Sequence, residues 1–474
     1  MLSIKTQKNI RFWLFALLIL LAPLSKYPSF GMPIYSFTSF RIGLYQLLAT
    51  AFVVSCLFGL SLGFLKINKL ATTGFGLLAI PTIFGFAWAV DSKRWFLMTI
   101  SLVILLTLAV TAWWYVQAEL TKPQLKKILR LAIYATIVYS VLVVFQFLFN
   151  TFSKNDLGIL CLNCTNTVFG FPRVNLFTAE PQFLANSLLP FLFISLYGFV
   201  ASRSKLVVTS LVLASLAIGL TFSRGAFFAL AVALFIFYTA TLLTKKVKVK
   251  SIALSALVIL ASIFVSFGLL LASASYTYKN TPNITYNTAK TMLEQLSLGL
   301  IVLPAKVVQT QPQQQNSPNN NFQSPGLITA STNDRLSAGQ LAIKTWSHNA
   351  KNVLVGVGPG NLGPYTVKYI NSTAPPNLTV YIYYVLILVE LGLVGLAGLI
   401  LLFVSTIYKL SVALHKTKIP VLPLFIAILV AFFVQYFFFG SYINVVYVWL
   451  WLGIGIGLAS LGHKLLSKLL DKEL

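Results

Sequence analysis

Residues 245–274 read KKVKVKSIALSALVILASIFVSFGLLLASA, and this stretch decides the class of fold. The range 252–274 contains no charged residue. It is long enough to cross the roughly 30 Å hydrocarbon core of a bilayer as one helix. The lysines that precede it indicate the cytoplasmic end of that helix, because short cytoplasmic loops of membrane proteins are enriched in lysine and arginine.

Other apolar segments of similar length recur along the chain. Of its 474 residues, 58% are hydrophobic and 9% are charged, whereas a soluble domain has about a quarter charged residues. The composition therefore predicts an all-α membrane protein with about twelve transmembrane helices. These lie near 10–25, 42–64, 72–90, 96–118, 129–149, 183–200, 205–222, 225–244, 252–274, 379–408, 420–437 and 441–462.

The distribution of basic residues predicts the orientation. Lysines and arginines in the short connections concentrate on alternate segments, which places both termini in the cytoplasm. The first segment ends in a poor cleavage site, APLS at 22–25, and is predicted to be an ordinary span. The net charge of +26 then reflects topology and attraction to anionic lipid. A nucleic-acid partner is not expected, because no basic cluster lies on a soluble domain.

Three regions follow from these spans. Residues 1–274 hold helices 1–9, residues 275–378 form a large, partly helical extracytoplasmic loop, and residues 379–474 hold helices 10–12 and a basic cytoplasmic tail. Within the loop, residues 309–325 (QTQPQQQNSPNNNFQSP) have low complexity and no charge. That composition predicts a disordered linker.

A surface helix is predicted after the linker, over 331–346 (STNDRLSAGQLAIKTW). Its first four residues are good N-caps. Leu336, Leu341, Ile343 and Trp346 are expected to form one apolar face that rests on the membrane surface or on the helix bundle.

The stretch after this helix, NVLVGVGPGNLGPY at 352–365, contains the spacing G-x-G-x-x-G at Gly358, Gly360 and Gly363. A dinucleotide site would need a following helix and an acidic residue about 20 positions later. The following segment, PYTVKYINSTAPPNL, has three prolines, no helical period and no acidic residue. Two alternatives remain, namely a sharp glycine turn and a backbone-amide cradle for an anion.

Three arginines lie near the predicted outer ends of spans, on the face where positive charge is depleted. They are Arg173, Arg224 and Arg335. Each could extend towards lipid phosphate. The alternative is a bidentate clamp on a phosphate or pyrophosphate. Arg224, in LTFSRGAFFAL, favours the clamp, because it lies between two spans that have almost no loop between them. Such a clamp suits a polyprenyl-pyrophosphate substrate.

Candidates for proton transfer on the outer face are few. Glu180 is the best acidic candidate, whereas Asp334 suits a helix cap and Glu294 a solvated face. His348 is the one histidine predicted outside, and it is either a surface residue at a helix end or a general base. Glu390 lies within span ten, where an ionisable residue has a functional or a packing role.

The three cysteines do not predict a metal site. Cys56 lies within a span and suits packing. Cys161 and Cys164 form CLNC in an outer loop, which favours a local disulfide. A metal site there would need two more ligands, and none is obvious from the sequence.

Four stretches in this order resemble the bacterial O-antigen ligase and O-antigen polymerase superfamily, which are integral-membrane glycosyltransferases of the GT-C type. They are Arg173 with EPQFLA at 180–185, TFSRGA at 221–226, the segment 335–346 running into GVGPGN at 356–361, and ELGLVG at 390–395. The SRGA stretch and the R…W…GVGPGN stretch are fairly specific when they occur together. The resemblance extends over roughly 160–400.

The resemblance implies transfer of a glycan from undecaprenyl pyrophosphate to a glycan or lipid acceptor. The reaction would occur on the outer face of the bacterial cytoplasmic membrane, without a metal or another cofactor. Since no nucleotide sugar exists there, the donor must arrive already activated. The residues expected to bind the pyrophosphate are Arg173, Arg224, Arg335, Gly356, Gly358 and Gly360, and those expected to be catalytic are Glu180, Arg224 and Arg335.

One departure concerns the base. Ligases of this family have a His-Asn pair nine residues before the span-ten glutamate, and that register here holds Tyr381-Ile382. Glu180 or His348 would replace the histidine, or Tyr381 would only orient the acceptor, or the chain would use another mechanism. This departure favours a polymerase-like or divergent transferase over a ligase. The alternative function is a transporter or flippase of lipid-linked oligosaccharides, and a third is a structural partner of a polysaccharide export complex.

Overall fold

The computed structural model describes residues 3–26, 28–32, 40–57, 67–153, 171–178, 180–279, 283–297, 301, 303, 326–440 and 445–470. The described part is helical apart from two short antiparallel strands, β1 (Ser29–Met32) and β2 (Phe40–Gly43), in which Ser29 pairs with Gly43. Two predicted features lie outside the described residues, namely the Cys161–Cys164 pair and the linker 309–325.

The described part of the chain contains seventeen α-helices. They are α1 (Ile4–Leu20), α2 (Leu44–Leu57), α3 (Lys69–Phe84), α4 (Ser92–Ala118), α5 (Lys122–Ser153), α6 (Pro181–Ala201), α7 (Lys205–Thr221), α8 (Arg224–Leu243), α9 (Val249–Thr277), α10 (Ile284–Leu296), α11 (Gly326–Trp346), α12 (Ala350–Val355), α13 (Leu362–Tyr369), α14 (Tyr383–Thr417), α15 (Leu422–Gln435), α16 (Val446–Ser460) and α17 (His463–Leu470). Each predicted span overlaps one of α1–α9 or α14–α16.

Length and composition identify this fold as that of a multi-pass membrane protein. Among the described residues, 7 helices are long and apolar enough to cross a membrane. They are α3 with the 3-10 turn that follows it, α4, α5, α6, α8, α9 and α14. Four further apolar helices, α2, α7, α15 and α16, are shorter. The all-α membrane class is therefore confirmed, and the number of spans stays a prediction.

Packing divides the chain into two compact units. The first comprises Met1–Ala132, Phe228–Ile252 and Asp334–Leu474, and the second comprises Ile133–Phe227 and Ala253–Asn333. In the first unit, glycines allow helix backbones to approach closely. A Cβ on Gly398 of α14 would lie 2.8 Å from the carbonyl oxygen of Gly74 in α3. Such close approach is typical of helix association in lipid, where dispersion contacts replace the hydrophobic effect.

Polar contacts in the first unit join segments that are predicted to lie on the same side of the membrane. On the predicted inner side the pairs are Arg11–Glu119 at 2.6 Å and Lys409–Asn68 at 2.5 Å. On the predicted outer side, the Asp91 amide donates to Asn361 at 2.7 Å, and Arg94 donates to the Pro376 carbonyl at 2.6 Å and to the Asn377 side chain. The alternation of sides itself stays a prediction.

The second unit is held together by small and hydroxyl-bearing residues. The Ser195 and Ser210 hydroxyls lie 2.5 Å apart between α6 and α7. Those of Thr151 and Ser273 lie 2.8 Å apart between α5 and α9. Hydroxyl pairs of this kind satisfy polar groups where no water is present.

Two expectations about the large loop were wrong in detail. Helix α11 begins at Gly326 rather than 331, and its buried face consists of Ala338, Ala342 and Thr345. Leu336 and Ile343, predicted to pack, are 59% and 41% exposed. The small side chains face the protein because they allow a closer approach than leucine or isoleucine would.

The second error concerns the segment after Gly363, for which no helix was expected. Helix α13 covers Leu362–Tyr369. Pro364 is compatible with this helix because it lies in the first turn, where backbone amides have no helical partner. A helix this short also has too few turns to show a clear period in the sequence.

Candidate functional site

In the second unit, Arg173 joins its own loop to the turn between α7 and α8. Its Nε donates to the Thr221 carbonyl at 3.1 Å, and its Nη2 donates to the Phe222 carbonyl at 3.3 Å. The last carbonyls of a helix lack helical partners and are the negative end of the helix dipole. The guanidinium of Arg173 therefore stabilises the end of α7, and the structure brings this residue directly to the TFSRGA segment.

The turn that follows is sharp and closely packed. Phe222 has left-handed backbone angles, with φ 46° and ψ 49°, which lets α8 begin two residues later at Arg224. The Phe222 ring packs edge-on against Phe171, Phe227 and Phe267, with centroids 5.5, 6.3 and 6.0 Å away. This aromatic packing fixes the position of the turn.

The sequence places a positive charge at an electrostatically unfavourable position in this turn. Arg224 is the first residue of α8, and its side chain is half-buried. The N-terminus of a helix already has a partial positive charge, so an arginine there is unfavourable for the helix itself. A bound anion would be stabilised by both the helix end and the guanidinium.

A buried glutamine of α5 holds the Arg173 loop from the other side. Gln146 Oε1 accepts from the amides of Asn175 at 3.1 Å and Leu176 at 2.9 Å, and its Nε2 donates to Asn175 Oδ1 at 3.1 Å. Leu176 has a positive φ of 42°. Gln146 was not among the predicted residues, although an amide within the apolar run VVFQFLF was a signal, since polar groups inside a membrane are costly.

Glu180 lies at the end of the same loop, at the N-cap position of α6. Its carboxylate is exposed and makes no capping hydrogen bond. The Thr178 hydroxyl donates to the Glu180 carbonyl at 2.9 Å and to the Asn175 carbonyl at 2.8 Å. The backbone around Glu180 is thus fixed, and its carboxylate faces solvent.

The third arginine lies in the first unit. The Arg335 guanidinium is 4.7 Å from the ring centroid of Tyr381, which is within range of a cation–π interaction. Both side chains are exposed. The structure therefore brings together a residue predicted to bind pyrophosphate and the tyrosine at the register of the family histidine.

The glycine stretch forms the predicted turn. Gly356, Gly358 and Gly360 have φ values of 75°, 92° and 71°, a region that favours glycine. The turn packs against α14 at Gly392, where φ of 68° and ψ of −170° interrupt that helix. A Cβ on Gly356 would lie 2.3 Å from the Glu390 carbonyl carbon.

The break in α14 at Gly392 explains why the glycine turn packs against this helix. Without a regular helix after Gly392, the Val389 and Glu390 carbonyls need other donors, because bare backbone groups are costly in a membrane. The amides of Val357 and Gly358 supply them, each at 2.9 Å.

This arrangement corrects the expectation of an anion cradle. The Gly358 amide donates to Glu390, and the Gly356 amide donates to the Asn352 carbonyl at 3.0 Å. Both donors are therefore engaged within the protein, and the pyrophosphate role predicted for Gly356 and Gly358 does not fit the structure. Gly360 serves the turn, with its backbone next to Met98 and the Arg94 carbonyl.

His348 lies apart from the Arg335–Tyr381 pair. It follows the C-terminal end of α11, and a rise of 1.5 Å per residue places Arg335 about 17 Å from Trp346 along the helix. His348 Nδ1 is 3.0 Å from the Tyr365 hydroxyl. Glu294, expected on a solvated face, pairs with Lys290 at 3.5 Å on α10. Glu390 is buried.

No group of three or more histidine, cysteine, aspartate or glutamate residues in the described part of the chain could hold a metal ion. The fold and these sites define a multi-pass helical membrane protein with two arginine-containing polar sites, one in each unit. No protein-family model matches the chain. No curated protein is significantly similar to it.

Proposed function

We propose that this protein is a membrane glycosyltransferase that moves a glycan from undecaprenyl pyrophosphate to a glycan or lipid acceptor. The reaction occurs on the outer face of the bacterial cytoplasmic membrane, with twelve spans, cytoplasmic termini and the large loop outside. The observation that supports this most is the junction of Arg173 with the TFSRGA turn, because it brings the Arg173 guanidinium to the turn that leads into α8 at Arg224.

The proposed chemistry needs positive charge where the leaving group departs. The acceptor hydroxyl attacks the anomeric carbon, and the bond between that carbon and the phosphate oxygen breaks. Negative charge then develops on the pyrophosphate, and Arg173 and Arg224 stabilise it electrostatically. The proton of the acceptor hydroxyl passes to a general base, for which Glu180 is the candidate, because its carboxylate is exposed on the same fixed loop as Arg173.

The resemblance assigns Arg335 and Tyr381, in the first unit, to substrate binding. The cation–π contact fixes the tyrosine ring, so that its hydroxyl can hydrogen-bond a sugar hydroxyl. In this role Tyr381 orients the acceptor.

Arg224 provides the test of this function. The purified chain is reconstituted in vesicles with an undecaprenyl-pyrophosphate-linked repeat, and the products are separated by size. We expect Arg224→Ala to abolish transfer and to leave thermal unfolding unchanged. Arg203→Ala is the matched control, since Arg203 lies in the same unit on a predicted inner segment and stacks on Phe199 at 5.8 Å. Full transfer by Arg224→Ala would exclude the proposed site.

A second candidate function is a flippase of lipid-linked oligosaccharides. The broken helix α14 favours it, because transporters bind their substrates at discontinuous helices and Glu390 is buried beside the break. An assay in which the lipid-linked donor is supplied only to the outer leaflet distinguishes a transferase from a flippase. Product formed without movement of donor across the bilayer supports the transferase, and movement without product supports the flippase.

A further inference from the structure

A cluster of aromatic and polar side chains in the first unit has no part in the arginine sites. It lies where α11 ends and α12 and α13 begin, and we name it the tyrosine–lysine surface. Its members are His348, Asn349, Lys351, Tyr365, Lys368 and Tyr369. The Tyr365 hydroxyl has two partners at 3.0 Å, His348 Nδ1 and Asn349 Nδ2. Tyr365 is buried, so these bonds fix the centre of the cluster.

Tyr369 is the exposed ring of this surface. It is 48% exposed, and its centroid lies 4.6 Å from that of Tyr365. The His348 ring is nearly parallel to it, with centroids 6.2 Å apart and planes inclined by 27°. An exposed tyrosine held by packing on one side offers a flat apolar face to a ligand at little cost in conformational entropy.

Positive charge surrounds this face. Lys351 Nζ lies 5.4 Å from the Trp88 ring centroid and 5.6 Å from that of Tyr365, and Lys368 Nζ lies 5.1 Å from that of Tyr369. Burial lowers the pKa of Lys351. The sequence has no acidic residue over 335–389, and no carboxylate in the described part of the chain forms an ion pair with either lysine.

We propose that the tyrosine–lysine surface binds a sugar residue that has a negatively charged substituent, a carboxylate or a phosphate. The less polar face of a pyranose packs on Tyr369, its hydroxyls hydrogen-bond to His348 and Asn349, and the two lysines attract the acidic group.

Several neighbours of this surface in the chain are exposed, polar and uncharged, namely Ser347, Asn371, Ser372 and Thr373. Their hydroxyl and amide groups can hydrogen-bond to further sugar hydroxyls. Two apolar side chains on the flanking helices, Ile343 and Leu354, are also exposed. Binding of anionic vesicles is therefore measured beside binding of the sugar.

This inference rests on the proposed function, and it extends that function to substrate choice. Helix α11 separates Arg335 from the surface by about 17 Å, so the surface contacts a different part of the glycan from the Arg335–Tyr381 pair. It therefore selects which glycan chains the protein accepts, through their charged units.

Equilibrium binding of oligogalacturonate to the full chain in detergent tests the inference, with uncharged malto-oligosaccharide as the comparison ligand. The assay contains no lipid-linked donor, so its outcome does not depend on transfer. We expect oligogalacturonate to bind the more tightly, and Tyr369→Ala to weaken its binding about fivefold or more. Lys368→Gln should reduce the dependence of binding on salt. Tyr408→Ala is the control, since Tyr408 is 65% exposed on α14 and should not affect binding.

Three results would overturn the inference. The first is equal binding of the charged and uncharged sugars, and the second is unchanged binding by Tyr369→Ala. The third is binding of vesicles of anionic lipid through Tyr369 without binding of oligogalacturonate, which would make the surface a membrane anchor. Failure of the wild type to bind oligogalacturonate, with intact transfer, would refute this inference alone, whereas binding of oligogalacturonate without transfer would refute only the proposed function.

Discussion

Two loops contact membrane helices where the helical hydrogen bonding stops. The Arg173 loop contacts the end of α7 through side chains, and the glycine loop at 356–361 contacts the break in α14 through its backbone. In the Arg173 loop, side chains make the connections, through Arg173 to α7 and through Gln146 to the loop backbone. In the glycine loop, backbone amides connect to the backbone of α14. The first arrangement holds the Arg173 guanidinium at the turn that precedes α8, while in the second the amides of Val357 and Gly358 donate to carbonyls of α14.

This difference shows which motif carries the proposed chemistry. The glycine spacing resembles a phosphate-binding turn, yet its amides are engaged by protein carbonyls. The arginine segment matches no general phosphate motif, but it concentrates positive charge at the N-terminus of α8. We therefore expect substitutions in the arginine segment to affect transfer, and substitutions in the glycine loop to affect stability.

The largest expected effect is on transfer by Arg173→Ala. Loss of a fixed positive donor to a developing anion costs about 10²–10³-fold in turnover. Arg173→Lys should restore little, because a lysine cannot donate to the Thr221 and Phe222 carbonyls in the same fork geometry. Initial rates in vesicles measure both variants. If Arg173→Lys is nearly as active as the wild type, Arg173 contributes only its positive charge and not its hydrogen-bond geometry.

The next effect is on stability, at Gly356. A Cβ there would meet the backbone of Glu390 at 2.3 Å, and φ is 75°, so Gly356→Ala should lower the free energy of unfolding by about 3 kcal/mol. Thermal unfolding in detergent measures the loss. Gly339→Ala on α11 is the matched control, because a Cβ there meets nothing within 4 Å. It should stabilise the helix by about 0.5–1 kcal/mol. Equal midpoints for the two variants would contradict the proposed role of the loop.

A smaller loss of stability is expected for Gln146→Leu. The substitution leaves two buried amides without an acceptor, which should cost about 2 kcal/mol. Gln435→Leu is the control, because Gln435 is also buried in α15 and, among the described residues, neither of its side-chain polar atoms has a hydrogen-bond partner. That variant should be as stable as the wild type or more stable. If Gln435→Leu lowers the free energy of unfolding as much as Gln146→Leu does, the lost hydrogen bonds to the Arg173 loop are not the cause of the Gln146→Leu effect.

The smallest effect is expected for Tyr381→Phe. The ring and its contact with Arg335 remain, and only the hydroxyl is lost. One hydrogen bond to the acceptor is worth about 1 kcal/mol, so transfer should fall about fivefold, mainly through a higher KM for the acceptor. Steady-state kinetics with varied acceptor measure this change. An unchanged KM would remove Tyr381 from the acceptor site.

The membrane helices could be predicted from the sequence because length and apolar composition are local properties. The turn at Gly356, Gly358 and Gly360 was also predictable, since glycines at that spacing favour positive φ. The carbonyls that accept from the amides of this turn could not be predicted, because they are exposed by the break at Gly392 in α14, which follows later in the chain. Gln146 was missed for the same reason, since its acceptor role appears only when Asn175 packs beside α5.

Binding of undecaprenyl pyrophosphate, without any sugar, tests the central claim most directly. The ligand is titrated against the reconstituted wild type, the Arg173→Ala/Arg224→Ala double variant and Arg203→Ala, with undecaprenyl monophosphate as the comparison. The wild type and Arg203→Ala should prefer the pyrophosphate, and the double variant should bind it about 10²-fold more weakly, as expected for two lost charge-assisted contacts. Equal affinity of all three proteins for undecaprenyl pyrophosphate would show that Arg173 and Arg224 do not bind the leaving group.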